Sequence, residues 1–272
     1  MKVNRGQLEK LYARYNRREF VHPDPLEFLY DYKDARDREV VALIASSLAY
    51  GRVRQILKSV STVLSKMTPS PSAFLKNSTS AQIHKTFKNF KHRFTTDEDI
   101  SCLLIGMKSA IEEHGSLEKC FLAGLKTEHE NVISALSSFA KELTPHPHPL
   151  PQGEREKGTL IPTPEKKSAC KRLNLFLRWM VRKDEVDPGG WNKVPRSKLI
   201  VPLDTHMHRI ARELGLTTRK QANLKTALEI TEAFREVEPD DPVKYDFVLT
   251  RFGIRDDLGK LPPLCKGRAR VG

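Results

Sequence analysis

The chain has 272 residues, 39% of them hydrophobic and 30% charged, a balance that describes a soluble folded chain and excludes disordered and membrane-embedded classes. No run approaches the ~18 apolar residues of a membrane span, and no apolar core follows the basic start MKVNRGQLEK, so the expected location is the cytoplasm, nucleoid association included. The 47 Lys and Arg against 34 Asp and Glu leave a net charge of +13, which points to a polyanionic partner, nucleic acid or an acidic membrane face.

Taken in chain order, the periodicity is helical. Leu8, Leu11, Tyr12 and Tyr15 share one helix face. Asp24-Pro25 supplies a cap and a first-turn proline for a short helix through Tyr30. Val40, Val41, Leu43, Ile44 and Leu48 make a helix apolar over a wide arc, hence central. Gly51 interrupts it before an amphipathic helix from Val53 to Met67. Thr96 caps a helix through Ile111 that ends at Gly115, and Val132, Ile133, Leu136 and Phe139 mark another. In the second half, Leu173, Phe176, Leu177 and Met180 form one helix face, and Met207, Ile210, Ala211 and Leu214 the next, closed by Gly215. Ala227 to Val237 follows, and Asp241-Pro242 is expected to start a last helix ending at Gly253. The strand-like run Leu199-Ile200-Val201 is too short to build a sheet. The fold class is all-α.

Thr144 to Pro164 carries six of the 17 prolines and reads as an insert or linker. Its PHPHPLPQGERE stretch resembles translated repeat elements, as does the C-terminal PPLCKGRARVG. The expected organisation is an N-terminal helical lobe (1–143), the insert (144–164), a C-terminal helical region (165–258) and an unstructured tail (259–272). His146 and His148 lack a third ligand, and Cys102, Cys120, Cys170 and Cys265 are too far apart for a CxxC pair. No metal and no cofactor are expected.

Between Lys171 and Lys220 twelve Lys and Arg stand against five Asp and Glu. On a helical wheel Lys171, Arg178 and Arg182 cluster opposite Leu173, Phe176, Leu177 and Met180. Like charges on one face repel by a few tenths of a kcal/mol per pair, which suggests an anion in front of them; the alternative is a solvated face. Ser168 is placed to cap this helix. In 199–216, Asp204 or Thr205 can cap the helix that ends at Leu214. Asp204-x-His206-x-His208 is similar to the metal-binding strand of barrel hydrolases, but too little chain follows to complete a barrel.

Pro202-Leu-Asp-Thr-His-Met-His-Arg-Ile-Ala-Arg-Glu-Leu-Gly-Leu216 resembles the segment of helix-hairpin-helix DNA glycosylases of the endonuclease III type that supplies a catalytic aspartate at a helix start. Residues 41–53 fall where those enzymes carry their central buried helix. Nearly the whole chain also resembles a bacterial family known as domain of unknown function 2400, through blocks 49–52, 168–184, 202–209 and 241–247. The glycosylase hairpin L-P-G-V-G-x-K and the four-cysteine cluster of endonuclease III are missing.

The resemblance implies two helical lobes around a cleft, with base-excision or abasic-site lyase activity on duplex DNA by a monomer. Asp204 would stabilise positive charge on the sugar, and Lys171, spaced as in the archaeal 8-oxoguanine type, would be the nucleophile. Arg172, Arg178, Arg182, Lys183, Arg209 and Arg212 are candidates for phosphate contacts, and Phe176, Trp179 and Trp191 for stacking on an extruded base. The competing expectation is a non-catalytic nucleic-acid-binding protein on the same fold.

Overall fold

The computed structural model describes residues 3–144, 160–259, 261, 262 and 264. Among them the chain is helical throughout, with no strand. The helices are α1 (Arg5–Tyr15), α2 (Ala35–Ser47), α3 (Val53–Leu64), α4 (Pro71–Asn77), α5 (Ser80–Phe87), α6 (Asp97–His114), α7 (Leu117–Ala123), α8 (Ile133–Leu143), α9 (Lys171–Val181), α10 (Thr205–Glu213), α11 (Leu224–Arg235) and α12 (Asp246–Ile254).

The wide apolar arc of α2 has the consequence its composition predicts: every residue from Glu39 to Ser47 is buried. This helix packs along α9 and against the 3-10 turn Pro25–Asp31, so chain from both halves closes on it. Its one buried charge is fully occupied. Glu39 accepts hydrogen bonds from Leu117 N (2.9 Å), Glu118 N (3.1 Å) and Trp191 Nε1 (3.0 Å), tying α2 to the start of α7 and to the 191 loop. Burial pushes its carboxyl above the usual carboxylate range, and those three donors hold it down. Elsewhere, α6 and α8 touch backbone to backbone: a Cβ on Gly106 would sit 2.1 Å from the Leu143 carbonyl oxygen, so only glycine fits. The buried apolar side chains of the two halves join in one continuous core.

Several boundaries differ from the sequence reading, each for a local reason. Helices α4, α5 and α7 span seven or eight residues, too few to display a period. The last helix begins at Asp246 instead of after Asp241, because the Asp241 carboxylate turns inward to Arg182 Nε (2.9 Å). Gly253 lies inside that helix and does not close it; a Cβ there would strike His206. Residues 199–201 are buried, irregular chain, as their length required.

Residues 145–159 of the expected insert lie outside the described residues, but packed chain resumes before 165, with Leu160 and Ile161 buried. Beyond Gly259, where an unstructured tail was expected, Leu264 is buried and its carbonyl accepts from Asn4 N (2.9 Å).

Candidate functional site

Four segments far apart in sequence line one open cleft of about 740 Å³, a size suited to a small ligand or an extruded nucleotide. They are the 49–51 turn, the first turns of α9, the start of α10 and α12 from Asp246 to Ile254, joined by Pro23–Pro25.

Asp204 is the N-cap of α10, as its position before the apolar period predicted. Its Oδ1 accepts from Met207 N at 2.8 Å, a contact that typically stabilises a helix by about 1 kcal/mol. The other oxygen, Oδ2, faces the cleft and stands 3.7 Å from Lys171 Nζ. That separation exceeds a hydrogen bond, so amine and carboxylate are close without being locked. Lys171 Nζ also reaches the Ala49 carbonyl at 3.4 Å. The N-cap of α9 is Cys170, in the left-handed region (φ 46°), and not the expected Ser168, whose Oγ accepts from Cys170 N at 3.2 Å.

Arg172 lines the same wall. Its Nη1 donates to the Ser47 carbonyl (2.9 Å), and its guanidinium lies 5.3 Å from the centre of the Tyr50 ring. Burial lowers its pKa, and among the described residues no carboxylate forms an ion pair with it. Tyr50 is braced from behind: its hydroxyl donates to the His92 carbonyl (2.9 Å), and the His92 ring meets it edge-on. Gly51, at φ 97°, lets the turn pass so close to Arg93 that a Cβ would lie 2.6 Å from that side chain.

The next two cations are held by carboxylates, Arg178 within the cleft lining and Arg182, just past α9, outside it. Arg178 and Arg182 are 3% and 2% exposed. Arg178 pairs with Asp187 and Asp246, and Arg182 with Asp184, Asp187 and Asp241. The wheel identified their common face correctly, but the anions in front of it are the protein's own aspartates. The neighbouring carboxylates hold both guanidinium pKa values up against the opposing effect of burial. As phosphate contacts these two residues are therefore corrected.

Lys183 is exposed but lines a separate depression with Tyr12, Asp184 and Lys244. Arg209 is exposed and paired with Glu213 (2.9 Å), and Arg212 is exposed on the same helix. The proposed stacking platforms are corrected too. Phe176 and Trp179 are fully buried and Trp191 is 2% exposed. Phe176 stacks on Phe139, and Trp191 meets Phe176 edge-on. The aromatic ring at the cleft is Tyr50.

Sequence reasoning gave no role to Asp246 or Arg251, both cleft residues. Arg251 is buried, donating to Asp24 Oδ2 (2.6 Å). Asp246 is 3% exposed; Oδ2 accepts from Arg178, and Oδ1 has no hydrogen-bond partner. Burial raises its pKa to about 6, opposed by Arg178 and reinforced by the Asp204 charge. A usable signal lay in the four blocks that carry the family resemblance, since each contributes to this wall: Tyr50 and Gly51, then Lys171 and Arg172, then Asp204, then Asp246.

No helix among the described residues is long and apolar enough to cross a membrane. Neither a curated protein nor a solved structure matches the chain. The family described as Protein of unknown function (DUF2400) matches residues 24–255, and the chain belongs to that family.

Proposed function

We propose that the protein is a DNA glycosylase or abasic-site lyase of the helix-hairpin-helix type, its cleft lying between N-terminal and C-terminal helical lobes. One observation carries this reading: a lysine amine and a helix-capping carboxylate, 33 residues apart in sequence, face one cleft at 3.7 Å. Glycosidic cleavage builds positive charge on the sugar, and a carboxylate held beside it lowers that barrier. The amine attacks the sugar carbon as the bond to the base breaks, and opening of the sugar leaves an imine on Lys171. Capping fixes Asp204 in place, so its cleft-facing oxygen needs no reorganisation during the step. The phosphate contacts of this reading fall to Arg172, Lys183, Arg209 and Arg212, and the ring available to an extruded base is Tyr50.

Incubating the protein with an abasic-site duplex and borohydride tests the reading, because only an imine is reduced to a stable adduct. The expected result is an adduct in wild type and none in Lys171→Ala; on a duplex that still carries a lesion base, Asp204→Asn, which can still cap α10, should release the base more slowly. An adduct that survives Lys171→Ala would assign the chemistry to another amine.

The hydrogen bond from Lys171 Nζ to the Ala49 carbonyl favours a second reading, in which Lys171 tethers α9 to the 49–51 turn in a non-catalytic nucleic-acid-binding protein. Duplex binding with neither adduct nor base release on a lesion panel would select that reading.

A further inference from the structure

The Asp246 carboxylate is deeply buried yet only half satisfied. Its Oδ2 accepts from Arg178 Nη1, while Oδ1 has no partner, and the residue lines the cleft. An interior carboxylate oxygen without a donor is costly. The surroundings do not relieve it: Arg178 and Arg182 serve four carboxylates, Asp184, Asp187, Asp241 and Asp246. On the cleft wall stands the opposite imbalance, the Arg172 guanidinium with no carboxylate partner among the described residues. The cleft thus offers an acceptor, a cationic donor and the Tyr50 ring. With Lys171, Arg172 and Arg251 around it, a free metal ion is a poor occupant. A nucleotide answers both imbalances, with a ring N–H for the Asp246 oxygen and a phosphate for Arg172.

We propose that Asp246 is a specificity-determining residue, its free oxygen accepting a hydrogen bond from a ring N–H on the base held in the cleft. The proposal rests on the nucleic-acid reading above and names what that reading leaves open, the edge by which a base is chosen. It also makes an unusual demand on Asp246→Asn. Arg178 donates only, so it must face the amide oxygen of the new side chain, which turns the amide NH2 toward the cleft. The substitution therefore exchanges an acceptor for a donor at one point in space.

The experiment compares duplexes carrying deoxyinosine, which presents N1–H, or deoxynebularine, which presents a bare N1, each opposite an abasic analogue so that extrusion is easy. Wild type is expected to bind the deoxyinosine duplex at least about tenfold tighter, the worth of one hydrogen bond to a charged group, its 6-oxo group adding to the difference. Asp246→Asn keeps the 6-oxo contribution and is expected to lose the N1–H part, narrowing or reversing the ranking. Asp187→Asn removes a different partner of Arg178 and leaves the cleft oxygen alone; it is expected to keep the ranking while melting earlier.

Equal affinity of wild type for the two duplexes overturns the proposal and needs no variant to fold. An Asp187→Asn shift equal to that of Asp246→Asn also overturns it, by reducing Asp246 to a structural ion. The same comparison with free inosine and purine riboside, read by thermal shift, separates the two readings. Discrimination there without any duplex binding keeps Asp246 as the acceptor and refutes the nucleic-acid function. No discrimination in either format refutes Asp246.

Discussion

The two ends of α9 carry the same kind of side chain in opposite circumstances. At the C-terminal end Arg178 and Arg182 are sealed among four aspartates, with 4% and 3% of their side chains exposed. Two turns earlier Lys171 is one-third exposed, 3.7 Å from its single carboxylate, and Arg172 rests on a carbonyl and a ring. A cation whose partners are complete is part of the scaffold; one that is held in place but not neutralised is available to a ligand. The difference is invisible on a helical wheel, which assigns both kinds to one face.

The largest expected break in this comparison is Arg178→Ala. Removing one member of a buried ion cluster leaves the others unpaired and should cost about 3–5 kcal/mol; urea unfolding would measure it, and a loss below about 1 kcal/mol would mean that water reaches the cluster. At the other end, Lys171→Ala should cost less than about 1 kcal/mol, since its ion pair is part-exposed and screened, while abolishing the borohydride adduct. A large stability loss there would move Lys171 to the scaffold.

Asp246 bridges the two ends and sets a pH dependence. Its folded-state pKa, about 6, lies above the unfolded value near 3.8. The native state therefore holds the extra proton, and this residue's contribution to stability falls as pH rises from about 4 to 6, then levels off. Asp184 has the opposite sign: Arg182 and two backbone donors lower its pKa against desolvation, so its contribution is present above the unfolded value and lost on acidification. Stability of Asp246→Asn relative to wild type should thus rise by on the order of 1 kcal/mol between pH 4 and 6; a flat difference would show that Arg178 fully compensates the buried charge. The smallest effect belongs to Arg172→Met: the salt dependence of duplex binding should lose about one unit of slope, and an unchanged slope would leave Arg172 without a phosphate.

Much of the scaffold was legible in the sequence because it follows from local periodicity and caps. Asp204 at the head of α10, Gly115 in the left-handed region after α6 and the burial of α2 are all of this kind. The ion cluster was not legible, because Asp187, Asp241 and Asp246 approach Arg178 and Arg182 only through tertiary folding. The same is true of the stacking platforms: Phe176 and Trp191 are large and aromatic wherever they lie, and only their packing against Phe139 and Phe121 shows them to be core. Asp246 stood within a block noted for its family resemblance, yet nothing near it in sequence indicates that one of its oxygens is left open.

The buried helix α2 has one more consequence. Its last residue, Ser47, receives Arg172, and the turn just beyond it, at Ala49, receives Lys171. The end of a helix carries roughly half a negative elementary charge, spread over carbonyls rather than lodged on a carboxylate. Such a terminus aligns two cations without cancelling them, and burial shields it from the salt that weakens surface pairs. The electrostatic potential of the cleft is thereby coupled to the packing of the core: a cavity-forming substitution midway along α2, at Leu43 for example, would tilt the source of that field and weaken ligand affinity without altering a single cleft residue.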